Sequence, residues 1–97
     1  MTYYIAILED EEGKAAGLWF PDVPGCFSTA DSVEEAMLNA PGALEAHAEV
    51  LAELGQPMPI PRSLSELKAD PEVAAEMAKY IVALIPFGSA QVRTAAE

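Results

Sequence analysis

Apolar and polar positions alternate in blocks that divide the chain cleanly. Tyr3 to Leu8 is apolar on both faces and rich in β-favouring side chains, which predicts a well-covered strand. Glu9-Asp10-Glu11-Glu12-Gly13-Lys14 then breaks it with a charged loop, and Ala15 to Phe20 returns as the second arm of a β-hairpin. Pro21-Asp22-Val23-Pro24-Gly25 is turn chemistry throughout: its prolines hold φ near -65° and its glycine permits a tight bend. Cys26 to Ala30 follows as a short, partly polar third strand. From Ser32 the period changes. Val33, Met37, Ala40, Leu44, Ala48 and Leu51 recur at spacings of three and four, one face of a helix that ends near Leu54, with Gly55 as its stop.

Local signals sharpen those boundaries. Ser32 and Glu35 have capping-box spacing, the hydroxyl accepting from the Glu35 N–H and the carboxylate reaching back to the Ser32 N–H. Pro41 removes a helical hydrogen bond to Met37, so a kink near Asn39 is predicted, while the apolar face keeps its phase across it. Gln56-Pro57-Met58-Pro59-Ile60-Pro61 must be extended, because alternate prolines favour polyproline II. Ser63 to Leu67 and Pro71 to Glu76 read as short helical turns. Tyr80 to Ile85 is the most continuous apolar strand, which should be buried on both faces or pair with another subunit. The prediction is one α+β domain over residues 1–87, followed by a tail over 88–97. It is a β-β-β-α-β two-layer sandwich, an antiparallel sheet covered by one long kinked helix.

Composition narrows the function more than the fold. Sixteen acidic residues against five Lys and Arg put the formal net charge at -11, while 52% hydrophobic residues suffice for a core. Such a charge opposes nucleic acid and anionic membrane, both of which reward basic side chains. It favours a basic partner, whose approach the field would accelerate, or it simply keeps a small protein soluble. One cysteine cannot form an internal disulfide and suits a reducing compartment; with no basic leader and no long apolar run, the expected location is the cytoplasm.

Catalytic chemistry finds little support in the residues. His47, the single histidine, lies within the predicted helix without a nucleophile motif beside it and reads as packed at a helix–sheet edge. Cys26 has no adjacent base to lower its pKa and reads as a small core residue. One Cys and one His cannot complete a zinc site, and no glycine-rich phosphate loop is present. Glu9, Asp10, Asp22 and Asp31 could in principle gather around Mg²⁺, and that keeps a nuclease reading open. No cofactor is expected.

Two blocks, Phe20-Pro21-Asp22-Val23-Pro24-Gly25-Cys26 and Asp31-Ser32-Val33-Glu34-Glu35-Ala36-Met37-Leu38-Asn39-Ala40, carry a family resemblance. Ala43-Leu44, His47 and Gly55 to Pro61 support them, and the combination resembles the HicB antitoxins of bacterial toxin–antitoxin pairs. The resemblance implies a degenerate RNase H-like fold without catalytic carboxylates, so no enzyme. It also implies a partner: HicA, a small basic toxin that cleaves mRNA through a histidine and whose active site the antitoxin occludes. On this reading Phe20, Pro21, Asp22, Pro24, Gly25, Ser32 and Glu35 form a structural motif, while Glu9, Asp10, Glu11, Glu12 and Asp22 contact the toxin. Tyr80, Ile81, Val82 and Leu84 supply the edge of a homodimer or homotetramer. Two departures stand out. Pro41-Gly42 interrupts a stretch where relatives keep good helix formers. Relatives usually carry a C-terminal DNA-binding module, whereas only Gln91 to Glu97 follow here as a lead-in. Nucleic-acid binding is therefore not expected of this chain; autorepression of the operon is the alternative for a longer one.

Overall fold

The computed structural model describes residues 2–88. Strands β1 (Thr2–Glu9), β2 (Ala16–Trp19) and β3 (Phe27–Ala30) are followed by helices α1 (Val33–Glu53), α2 (Leu64–Lys68) and α3 (Pro71–Lys79), and then by strand β4 (Ile81–Phe87). All neighbours in the four-stranded sheet are antiparallel, in the order β3-β2-β1-β4. The double-faced apolar run finds its explanation in that order. β1 is central, and Tyr4, Ile5, Ala6, Ile7 and Leu8 are all buried.

Each face of the sheet has its own core. Tyr4, Ala6, Leu8, Ala16, Leu18 and Ile85 pack with Phe20, Val23 and Cys26 against Ala36, Ala40 and Leu44 of α1. On the opposite face Ile5 and Ile7 meet Leu67 of α2 and Val73 of α3, with Trp19, Met77 and Tyr80 packed around them. The α+β sandwich with α1 as its main cover is as expected. The two short turns do more than connect: as α2 and α3 they cover part of the second face.

α1 departs from the predicted stripe in one place. Ala36 rather than Met37 is buried, and Met37 is 37% exposed. The small Ala36 and Ala40 let the helix approach the sheet closely enough for the Ser28 hydroxyl to donate to the Ala36 carbonyl at 3.1 Å. Replacing Ala36 with leucine is expected to overpack this contact and lower unfolding free energy by about 2 kcal/mol, measured by urea denaturation. The helix runs unbroken through Pro41, and the residue whose carbonyl Pro41 cannot bond, Met37, lies on the exposed side where water reaches it. At its start Ser32 accepts from the Glu35 N–H at 3.1 Å, but the Glu35 carboxylate takes the Asp31 N–H at 3.4 Å, not that of Ser32. At its end Gly55, with φ +74°, donates to Ala52, while Gln56 donates to Leu51. That is a Schellman closure requiring the left-handed conformation glycine adopts freely.

Other boundaries also move. Cys26 closes the turn instead of opening β3, and Tyr80 is the C-cap of α3, outside β4. β4 extends through Pro86 to Phe87, and only Ile85 of its residues is fully buried. Burial on both faces, the first of the two alternatives for that strand, is thereby excluded; β4 is an edge strand open to solvent. The tail beyond Gly88 lies outside the described residues.

Candidate interaction surface

The signature turn is the anchor for everything around it. Val23 donates to the Phe20 carbonyl and Cys26 to the Val23 carbonyl, both at 3.1 Å, and Phe20, Val23 and Cys26 are buried. Gly25 holds φ +86° beside His47, whose Cε1 lies 3.8 Å from where a Cβ would stand. His47, half-buried on α1, therefore lies beside the turn. The Cys26 thiol donates to the Ala43 carbonyl, and burial pushes its pKa up, as for an inert core thiol.

Asp22 has an intramolecular task. Its carboxylate, only 10% exposed, accepts from the Arg62 backbone N–H and from Arg62 Nε, both at 2.7 Å. Arg62 Nη1 continues to Asp70 at 3.1 Å, and Asp70 itself caps α3 by accepting from the Glu72 N–H. Tyr4 ties the same crossover down by donating to the Pro59 carbonyl; its phenol pKa is raised by burial first and by Asp22 second. Asp22 thus straps the proline-rich segment to the turn, and both carboxylate oxygens are occupied in doing so.

The hydrogen bond from Arg62 holds the Asp70 carboxyl below its usual range. A depressed carboxyl contributes stability above its unfolded pKa of about 3.9 and loses it as pH falls through the folded value. Wild type is therefore expected to outlast Asp70→Asn modestly at pH 7, with the two converging as the pH falls through the lowered folded value. Urea midpoints across that range read the difference.

The four acids before Gly13 are placed otherwise. Asp10, Glu11 and Glu12 are exposed and Glu9 is half-buried at the end of β1. The Glu11 carboxylate makes an exposed pair to Lys14 at 3.3 Å, and its backbone carbonyl accepts from the Lys14 N–H at 3.0 Å. Glu9, Asp10 and Glu11 share a hollow of about 600 Å³ with Leu8, Lys79, Tyr80 and Ile81. Two surfaces that sequence reasoning listed separately, the acidic loop and the start of the last strand, are therefore contiguous. The Tyr80 ring is turned inward, edge-on to Trp19 at 5.4 Å, with the Lys79 ammonium 5.3 Å from its centroid. Sequence reasoning missed Arg62, forty positions from Asp22, for which no local signal exists.

Among the described residues, no three His, Cys, Asp or Glu side chains are gathered to hold a metal ion. Nor is any helix among them long and apolar enough to cross a membrane. The described residues present an acidic loop, an open strand edge and shallow apolar grooves. The chain belongs to the HicB-like antitoxin family of bacterial toxin–antitoxin systems, whose family model matches residues 3–97.

Individual relatives agree. An uncharacterised 14.9 kDa protein from the rep–hol intergenic region of Haemophilus phage HP1 is 38% identical over 72 residues, covering 74% of this chain and 53% of that protein. The Burkholderia pseudomallei antitoxin HicB superposes with a TM-score of 0.71 at 29% identity, over 89% of this chain and 63% of that one. Its N-terminal domain alone gives 0.69 at 28% identity, over 88% and 96%. A chain of the HicA3–HicB3 toxin–antitoxin complex shares the fold, with a TM-score of 0.70 at 24% identity, over 90% and 99%. This chain thus spans about half of the phage protein and under two thirds of full-length HicB.

Proposed function

We propose that this chain is the neutralising partner in a two-protein system: a cytoplasmic antitoxin that binds a basic, HicA-type RNA-cleaving toxin and covers its active site. The observation that carries this reading is the acidic stretch Glu9-Asp10-Glu11-Glu12, exposed from Asp10 onward, on a chain of net charge -11 beside an uncharged strand edge. A field of that sign accelerates encounter with a basic protein and repels RNA. Membership of the HicB-like family supports the role, and a relative of the same fold is found in a complex of HicA3 with HicB3. In this reading the contact set is Glu9, Asp10, Glu11 and Glu12, without Asp22, because Arg62 already occupies that carboxylate.

The test is co-expression with a small basic HicA-type protein, sought first beside the gene. The two are expected to elute together from a size-exclusion column at low salt, and the complex to weaken as salt rises. Separate elution at every salt concentration would remove the antitoxin reading.

A further inference from the structure

We infer that the groove between α1 and the start of β3 seats the apolar ridge of a basic amphipathic helix from a partner protein. The groove, of about 300 Å³, is lined by Gly25, Phe27, Ala43, Ala46, His47 and Val50. That is the bottom of the size range for ligand sites, room for a side chain or two and not for a whole small molecule. Phe27 is 64% and Val50 53% exposed, so two large apolar side chains stand in water where the groove opens. Scattered single residues of that kind are ordinary on a soluble protein, but here they continue along the helix. Leu38, Gly42, Ala46, Val50 and Leu54 recur at every fourth position, and every one is exposed. Side chains in such a row form the ridge through which helices pack.

Gly42 fits the same picture. A Cβ at this position would meet nothing within 4 Å, so the fold itself does not ask for the glycine. Glycine also weakens a helix interior relative to alanine. On the outer face of α1, Gly42 and the small Ala46 let a second helix axis come close to the backbone, while Phe27 and Val50 grip its side chains.

Charge selects the occupant. α1 carries Glu34, Glu35, Glu45, Glu49 and Glu53 and neither Lys nor Arg. Glu49 and Glu53 follow Ala46 and Val50 by three positions, so each shares their side of the helix, and both are exposed. A second copy packed here would set these acids against one another, and an anionic bilayer would be repelled. A helix with Lys or Arg beside its apolar ridge pairs with them while the ridge fills the groove. The basic partner proposed above supplies that helix, and the inference rests on that reading for its source. The acidic loop lies at the Ala16–Ala30 end of the β2–β3 ladder and the groove at the Trp19–Phe27 end, at least about 10 Å along the strands. Loop charges act on the approach of the partner, and the groove on how long it stays.

NMR titration of the isotope-labelled chain with a peptide of about 18 residues, leucine on one helical face and lysine on the other, tests the groove without the toxin. Saturable shifts are expected at the amides of Phe27, Ala46, His47 and Val50, and none with the leucine–glutamate counterpart. Phe27→Ala combined with Val50→Ala is expected to weaken binding about tenfold. Both side chains are exposed, so the circular dichroism spectrum should not change. Glu49→Lys combined with Glu53→Lys is expected to abolish the preference for the lysine peptide. Shifts confined to Glu9 to Glu12, or binding indifferent to both pairs of substitutions, overturn the inference. Shifts at the groove amides that follow chain concentration without peptide assign it to a second copy and overturn it too. Against a HicA-type protein, the apolar pair is expected to speed dissociation about tenfold and leave association nearly unchanged. A wild type that binds no such protein removes the antitoxin reading, whereas the peptide titration judges the groove by itself.

Discussion

Reversing Glu9, Asp10, Glu11 and Glu12 together to lysine is expected to slow association with the basic toxin by about ten- to a hundredfold, while dissociation changes far less. The four side chains rim one end of the sheet and contribute nothing to either core, so the fold should tolerate the change. The single intramolecular pair lost, Glu11 with Lys14, is exposed on both sides and stabilises the chain little. Steering acts through solvent, and so the difference should shrink as salt shortens the Debye length from about 8 Å to about 3 Å near 1 M. Stopped-flow association at low and high salt measures both effects. Unchanged on-rates at low salt would move the interface away from this loop.

Leu44→Ala is expected to cost about 3 kcal/mol of unfolding free energy. Leu44 is 0% exposed and sits where α1 meets the larger of the two cores, so alanine leaves a cavity that the surrounding strands cannot collapse to fill. Against a total of about 5–15 kcal/mol for a small domain, that is a large fraction, and melting should fall by more than about 10 °C. Leu38, six positions earlier on the same helix, is 79% exposed, and its alanine variant should stay within about 0.5 kcal/mol of wild type. Differential scanning calorimetry of the pair separates packing from helix propensity, since both substitutions exchange the same residue types. Equal losses would mean that α1 packs with a different face.

The parts of this fold that were legible in the chain are those written locally. Ser63 to Leu67 and Pro71 to Glu76 do form helical turns, the first opened by a full Ser63–Glu66 capping box and the second by Pro71 in the first turn, where proline is favoured. β1 reads as buried on both faces because Tyr4 to Leu8 are all apolar and the strand is indeed central. What local pattern could not supply is position across the sheet. The apolar continuity of β4 matches that of β1, but one strand is central and the other an edge, and nothing in their residues separates the two cases. Met37 and Ala36 differ by one step on the helix, and close approach to Ser28 chose the smaller. Asp22 read as a toxin contact, whereas the crossover brings Arg62 onto it; a pair so distant in sequence leaves no periodic trace. The acidic loop was legible as a group of residues, whereas its adjacency to Ile81 depended on the register of β1 with β4.

The most direct measurement titrates the purified chain into an RNA-cleavage assay of a basic HicA-type protein. The account predicts that cleavage falls in proportion to added chain and ceases near stoichiometric equivalence, with inhibition weaker for the lysine-reversed loop at limiting concentration. Undiminished cleavage in the presence of excess folded chain would contradict it.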